Sequence, residues 1–215
     1  MKELKIKIET LSPTHLGSGE GWGSTIDSDI IYDEFGLPYF PSRRLKGLLR
    51  ESAVEVLEMF RSSMIDEYKE FSLSDIFGSP GANQTAKVIF NDLYIEEYEK
   101  TVEWLKWSFQ NFHEFFTPQK VIDSLTEIRQ QTAIDNDGTP KEHSLRTIRV
   151  LKRGITFTGS IFVDGLESEK LIALACRNLK RAGSLRNRGL GKVSCTLWDN
   201  DIDLTERYVK ELLHI

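Results

Sequence analysis

The sequence has few cysteines, and it lacks any apolar stretch long enough to cross a membrane. Cys176 and Cys195 form no CxxC pair and no histidine pair has metal-ligand spacing, which excludes a disulfide framework and a zinc site. We therefore predict two buried thiols. The N-terminal residues alternate charged and apolar side chains and do not form the apolar core of a signal peptide. These absences lead us to expect a soluble, cytoplasmic protein that does not act at a membrane.

The chain also has fewer basic than acidic residues: 28 Lys and Arg against 33 Asp and Glu, for a formal net charge of -5. This balance excludes a protein that coats nucleic acid through bulk positive charge. The charge is unevenly distributed, however: residues 41–50 carry +4, residues 141–153 carry +4 and residues 177–192 carry +6. These 39 residues together hold +14, and the other 176 hold -19. The sequence therefore predicts one basic face on an acidic body.

Familiar nucleotide-binding and catalytic motifs are missing as well. The run Gly189-Leu190-Gly191-Lys192 lacks the Ser or Thr that would follow the lysine of a P-loop, so an NTPase is rejected. The four histidines are scattered, and no Ser/His/Asp or Cys/His set can be identified. What remains is a glycine loop rich in arginine. Its small residues allow a backbone to approach closely, while Arg186 and Arg188 supply forked donors to phosphate.

The first half of the chain contains strand, turn and helix patterns. Alternation over Lys2–Leu11 predicts a strand, followed by a glycine loop over Ser12–Gly23. Residues 26–32 and 37–40 flank a turn at 33–36 and predict a hairpin. Pro41 and Ser42 are predicted to cap a helix that continues through Met64. Because Arg43, Arg44 and Lys46 lie at a helix start, where backbone N–H groups are unpaired, this start predicts a phosphate site.

The second half repeats this mixture. Strands are predicted over 87–94, 155–163 and 191–198, and helices over 98–116, 168–181 and from Asp203 to the end. The helix over 98–116 is apolar around more than half its girth, which fits either a core helix or one that docks on another subunit. The mixed segments 128–134 and 145–150 flank a polar turn that includes Asn136 and Pro140, and together they predict a protruding hairpin.

The motifs THLGSG, IDSDIIYD, LPYFPSRRLKGLLR, IFGSP before KVIFND, TEIR and GSLRNRGLGKV follow one another in this order. This series resembles the RAMP superfamily of CRISPR proteins, with the closest likeness to the backbone subunit of type III Csm and Cmr effector complexes. The resemblance implies an α+β, ferredoxin-like (RRM-like) fold with an antiparallel-sheet core, an inserted β-hairpin thumb and a helical insertion. It also implies one RAMP domain over residues 1–215, with the helical insertion at about 97–118 and the thumb at about 128–149.

The same resemblance implies a function and a set of site residues. Many copies would stack along a CRISPR guide RNA beside other RAMP subunits, and target RNA would be cleaved with Mg²⁺ or another divalent cation. Asp27, in IDSDIIYD, stands where the family has the aspartate required for cutting, as catalytic residue and metal ligand. The implied RNA-binding residues are spread over four segments of the chain: His15, Arg43, Arg44, Lys46, Arg50, Arg129, Arg146, Gly183, Arg186, Arg188, Gly189, Gly191 and Lys192.

Three hypotheses stay open at this point. The chain is an endoribonuclease subunit in which Asp27 cuts target RNA, or it is a scaffold that only binds guide RNA and neighbouring subunits. From the residues alone, a turn or strand-end residue is the favoured interpretation of Asp27, and only the resemblance reverses this preference. The third hypothesis is metal-free processing of a precursor guide, which needs His or Tyr acid–base chemistry and for which only His15 is a candidate.

Overall fold

The computed structural model describes residues 1–19, 26–63, 71–79, 86–133, 135, 137–139, 141 and 143–213. The second half of the predicted glycine loop, Met64, Asn136, Pro140 and the end of the loop before KVIFND lie outside the described residues. The core is a sheet whose strands are ordered β2-β4-β7-β1-β8-β9, with β3 also paired to β7 and every neighbouring pair antiparallel. Their bounds are β1 Lys2–Thr10, β2 Tyr39–Phe40, β3 Val88–Phe90, β4 Leu93–Ile95, β7 Thr156–Val163, β8 Val193–Asp199 and β9 Ile202–Asp203.

Six α-helices and a separate β-hairpin complete the described part of the chain. The helices are α1 Ser42–Ser62, α2 Leu73–Phe77, α3 Tyr98–Asn111, α4 Pro118–Leu125, α5 Leu166–Asn178 and α6 Leu204–Leu213, and the hairpin strands are β5 Thr126–Gln131 and β6 Arg146–Leu151. The order β1, α1, β3/β4, β7, α5, β8 gives the βαββαβ arrangement of a ferredoxin-like fold. The predicted fold class is therefore confirmed. Among the described residues, no helix is both long and apolar enough to cross a bilayer.

The hydrophobic core lies between one face of the sheet and helices α1 and α5. Strand β1 buries Leu4, Ile6 and Ile8 on this face and carries Lys5, Lys7 and Glu9 on the other, as alternation predicts. Helix α1 buries Leu45 and Leu49, which follow the helical spacing. Each such side chain contributes about 2 kcal/mol through removal of apolar surface from water. Cys176 and Cys195 are both buried here, as expected, and burial raises the pKa of the Cys176 thiol.

Strand 87–94 was predicted as one strand, but the structure breaks it at Asp92 into β3 and β4. The Asp92 carboxylate accepts a hydrogen bond from the Ser42 N–H at 2.6 Å, so Asp92 satisfies the start of α1. Pro41 occupies the N-cap position and makes no side-chain cap bond. The prediction that Pro41 and Ser42 cap this helix is therefore wrong in one respect: no side chain at the N-cap position makes a capping hydrogen bond. Opposite the break, a Cβ on Gly159 would meet the Asp92 carbonyl oxygen at 2.8 Å, so only glycine fits there.

The predicted helix over 98–116 ends early, at Asn111. The chain turns through Phe112 and starts a second helix, α4, at Pro118. The hydroxyl of the N-cap Thr117 accepts a hydrogen bond from the Lys120 N–H at 3.3 Å. Val102 and Leu105 are buried, whereas Trp104 and Trp107 are 50% and 53% exposed. The helical segment therefore extends to Leu125, beyond the expected limit of 118.

Candidate functional site

The residues 26–32 do not form the continuous hairpin strand that alternation predicts. The turn at 33–36 forms, because the Asp33 carboxylate accepts hydrogen bonds from the Phe35 and Leu37 N–H groups at 2.9 Å. The preceding segment instead runs between two partners. On one side the Ile31 N–H donates to the Leu16 carbonyl at 2.9 Å, and on the other the Arg149 N–H donates to the Ser28 carbonyl at 3.1 Å. This segment therefore joins the loop after β1 to the β5–β6 hairpin.

Asp27 lies at this junction with an exposed side chain. Its N–H donates to the Thr147 carbonyl at 2.8 Å, and its Oδ2 accepts a hydrogen bond from the Thr147 N–H at 2.6 Å. Two contacts to one residue of β6 fix the carboxylate beside the hairpin, where Thr147 pairs with Gln130 near the turn end of the ladder. Asp27 is thus held in place while its side chain remains open to solvent.

His15 is buried on the other side of the same segment, with only 3% of its surface exposed. Its Nδ1 lies 2.8 Å from the Arg149 carbonyl oxygen and its Nε2 lies 3.0 Å from the Ser28 hydroxyl. Because a carbonyl only accepts hydrogen bonds, Nδ1 donates to Arg149, and Nε2 shares a hydrogen bond with the Ser28 hydroxyl. Both ring nitrogens therefore have partners within the protein, and the ring fixes the loop after β1. This arrangement does not favour an acid–base role for His15.

Arg149, which the sequence places in a basic segment, is buried as part of an ion network. Its Nε lies 3.1 Å from Asp29 Oδ1, and its Nη1 lies 2.5 Å from Asp123 Oδ1 and 3.1 Å from the Thr126 hydroxyl. Asp29 is itself buried and its Oδ1 accepts from the Ile30 N–H at 2.7 Å. The network joins the Asp27 segment to α4 and the hairpin. Arg149 therefore positions the site and adds nothing to a basic face.

The glycine loop between α5 and β8 packs against the loop after β1. The Ser184 N–H donates to the His15 carbonyl at 3.0 Å, and Gly183 has a φ of +82°. A Cβ on Gly183 would lie 2.4 Å from that carbonyl oxygen, and one on Gly191 would lie 2.2 Å from the Ala182 carbonyl oxygen. Both glycines are thus needed for close approach. Between them, Arg186–Arg188 form a single 3-10 turn.

Gly183→Ala is expected to lower the free energy of unfolding by about 3 kcal/mol, because it combines a left-handed backbone with a steric clash. Gly189→Ala is the matched control. Gly189 has a φ of +79°, but a Cβ there meets nothing within 4 Å. Its cost is the backbone strain alone, about 1 kcal/mol. Urea denaturation of both variants measures the difference, and equal losses would show that packing against His15 does not hold the loop.

Three neighbouring cavities lie along these loops, and together they are called the groove. A cavity of about 520 Å³ lies between the loop after β1 and α1, and a second of about 970 Å³ lies between α1 and the glycine loop. Both share four lining residues: Leu48, Glu51, Gly183 and Ser184. A third cavity, of about 390 Å³, lies against the β5–β6 hairpin and shares Arg188 with the second. The groove thus leads from the start of α1 to the hairpin that holds Asp27.

The basic residues of α1 divide between two faces. Arg44 lines the first cavity and donates a hydrogen bond from Nη2 to the Gly17 carbonyl. Arg43, Lys46 and Arg50, spaced three and four residues apart, lie on an adjacent face that lines neither cavity. The first N–H group of the helix is already bonded to Asp92. The Ser42 N–H is therefore not available to a phosphate, and the predicted phosphate site at the helix start depends on the basic side chains.

The remaining predicted residues lie at the glycine loop and the hairpin. Arg186 and Arg188 line the second cavity, where burial and the nearby Arg177 lower the pKa of Lys180, a lining residue. Lys192 is exposed at the end of the loop, next to the buried Gly191. On the hairpin, Arg146 lines the third cavity and Arg129 pairs with Glu127 at 2.7 Å. RNA contact by these residues remains a prediction.

Sequence reasoning missed two groove residues of α1, Glu51 and Glu55. Both line the second cavity, and Glu51 Oε2 lies 3.2 Å from Arg186 Nη1. Their spacing of seven and eleven residues from Arg44 puts them on its helix face, a signal available in the sequence. The net charge by segment does not reveal these two glutamates, because the basic segment ends at Arg50, one residue before Glu51.

A metal site would have to be completed by a ligand. Within the described ranges, no three His, Cys, Asp or Glu side chains come together in a way that would hold a metal ion. The exposed carboxylate of Asp27 is nevertheless suited to Mg²⁺, which commonly binds through one or two carboxylates together with substrate phosphates. The donor set thus fits a divalent cation only if a phosphate contributes.

Comparison with known proteins gives a family and a fold. The family model described as the RAMP superfamily matches residues 7–194. A cryo-EM structure of the type III-B Cmr-beta bound to cognate target RNA contains a chain 12% identical, with a TM-score of 0.66 over 92% of this chain and 97% of that chain. A cryo-EM structure of the apo state of type III-B Cmr-beta contains a chain 14% identical, with a TM-score of 0.61 over 93% of this chain and 98% of that chain. A search of curated proteins finds no match.

Proposed function

Because this chain belongs to the RAMP superfamily, we propose that it is the guide-RNA-binding backbone subunit of a type III CRISPR effector complex and cleaves complementary target RNA. One observation carries the proposal. The groove between α1 and the glycine loop leads to the β5–β6 hairpin, beside which Thr147 fixes the exposed Asp27. The fold that this chain shares with Cmr-beta chains supports a place in such an assembly, beside copies of itself and other RAMP subunits in a filament.

Guide RNA would follow the groove through its phosphates. Arg44, Arg186 and Arg188 line it and present guanidinium groups, which bind phosphate with paired hydrogen bonds. The backbone of the glycine loop approaches closely where Gly183 and Gly191 leave out a Cβ. Because such contacts read no bases, sequence specificity comes from pairing between guide and target.

The β5–β6 hairpin would act as the thumb that wedges between nucleotides. A base splayed out beside Asp27 would give the neighbouring target phosphate the geometry for in-line attack by its 2′-hydroxyl. Thr147 holds the Asp27 carboxylate at this position. Asp27 and an RNA phosphate would together hold Mg²⁺ or another divalent cation, which when bound neutralises charge on the scissile phosphate. Arg129 and Arg146 on the same hairpin would contact the guide.

A second candidate function is the non-catalytic scaffold. One observation favours it: Asp27 Oδ2 already accepts the Thr147 N–H, a contact that a purely structural aspartate would also make. The two candidates share the groove and the guide, and they differ only in what Asp27 does. Substitution of Asp27 separates them.

Arg186→Gln combined with Arg188→Gln is expected to weaken guide retention and to reduce the slope of log affinity against log salt by about two, roughly one for each lost phosphate contact. The measurement is RNA binding by the full chain across a salt series. Arg207→Gln with Lys210→Gln is the control, because this pair removes the same charge from α6, which follows the opposite end of β8. Equal slopes for the two double variants would refute the groove as the RNA site.

A further inference from the structure

An acidic side chain lies inside the basic groove. Glu51 lines both larger cavities, and its Oε2 lies 3.2 Å from Arg186 Nη1. The two side chains are 55% and 39% exposed, so the pair borders the open groove and is not part of the core. The Arg186 carbonyl accepts a hydrogen bond from Arg181 Nη1, which fixes the backbone that presents Arg186.

Glu55, one turn further along α1, provides a comparison within the same wall. Its Oε2 accepts a hydrogen bond from Asn178 Nδ2 at 2.7 Å, and Asn178 also donates to the Ser52 hydroxyl at 3.1 Å. Both glutamates line the second cavity, but Glu55 has a neutral partner. The two carboxylates therefore carry the same charge in the same groove. Of the two, Glu51 forms an ion pair with an arginine, whereas Glu55 does not.

A carboxylate and a phosphate use the same guanidinium donors, so they compete for Arg186. We propose that Glu51 is a specificity-determining residue that competes with RNA phosphate for Arg186. This inference rests on the proposed function, since it assigns the ligand of the same groove. RNA that reaches Arg186 must displace Glu51 and leave its charge facing a polyanion. The groove then retains an RNA that makes contacts along its whole length and releases one that binds at a few phosphates only.

Glu51→Gln is expected to tighten binding of a fluorescent, mixed-sequence single-stranded RNA to the full chain by about two- to fivefold, the range that corresponds to an exposed ion pair. Glu55→Gln removes the same charge and is expected to have a smaller effect. In a chain that already carries Arg186→Gln, Glu51→Gln should add no more than Glu55→Gln does. Thermal unfolding of each variant shows that the fold is kept.

The outcomes distinguish this inference from the function on which it rests. Equal gains from Glu51→Gln and Glu55→Gln, or a gain that persists in the Arg186→Gln background, would overturn the competition and leave the RNA groove intact. Absence of RNA binding by the unsubstituted chain would overturn the proposed function, and the inference with it.

Discussion

Replacing Asp27 by Asn is expected to lower the rate of target RNA cleavage by roughly 100-fold or more while guide and target binding are retained. Asparagine has the same shape, and its carbonyl oxygen can still accept the Thr147 N–H that anchors the aspartate. The substitution therefore removes the charge and keeps the contact. Loss of the carboxylate removes the group that would orient the 2′-hydroxyl and hold a divalent cation beside the scissile phosphate.

The measurement uses the assembled complex with labelled complementary RNA and Mg²⁺. Asp137→Asn is the control, because Asp137 is an exposed carboxylate near the tip of the same hairpin. Unchanged cleavage in Asp27→Asn would remove Asp27 from the mechanism and leave the scaffold function. Loss of both binding and cleavage would assign Asp27 a structural role in holding the hairpin strand β6.

Replacing Arg149 by Met is expected to lower the free energy of unfolding by about 3–5 kcal/mol. Methionine fills much of the same volume, but it leaves Asp29, which is 3% exposed, without the guanidinium that balances its charge. A buried carboxylate without a counter-charge is among the costliest defects in a core. The loss should also loosen the segment that carries Asp27, since Arg149 joins it to Asp123 on α4.

Arg129→Met is the matched control for this prediction. Arg129 lies on the same hairpin, but its pair with Glu127 is exposed, so its loss should change the free energy of unfolding by no more than about 0.5 kcal/mol. Urea denaturation of both variants gives the comparison. Combining Arg149→Met with Asp29→Asn should recover part of the lost stability, because the second change removes the uncompensated charge. If Arg149→Met lowers the free energy of unfolding no more than Arg129→Met does, the stabilising role of the network is contradicted.

The elements that local pattern alone determines agree with the sequence predictions. Strand β1, helix α5 and the 33–36 turn need only alternation, helical spacing and an Asx-type turn residue. The prediction of one helix over 98–116 was wrong because aromatic residues continue past Asn111. Thr117-Pro118, an N-cap followed by a proline at the first helical position, is the signal that marks the second start.

Long-range contacts explain what local pattern could not give. Asp92 caps a helix that starts 50 residues earlier, and this pairing divides a strand that alternation joins. Arg149 adds to the net charge counted for residues 141–153. In the structure, however, it is buried in ion pairs with Asp29 and Asp123, which are distant in sequence. Glu51 lies outside every basic segment, yet it faces Arg186 across the groove. Segment charge locates the groove but not the charges that line it.

Sequencing the RNA that co-purifies with the tagged chain from its native cells shows whether this chain binds guide RNA. We expect short RNAs of regular length, and a reduced yield from the chain that carries Arg186→Gln and Arg188→Gln. Recovery of no RNA above that from an untagged control, or of fragments with random lengths and sequences, would contradict a guide-RNA-binding role.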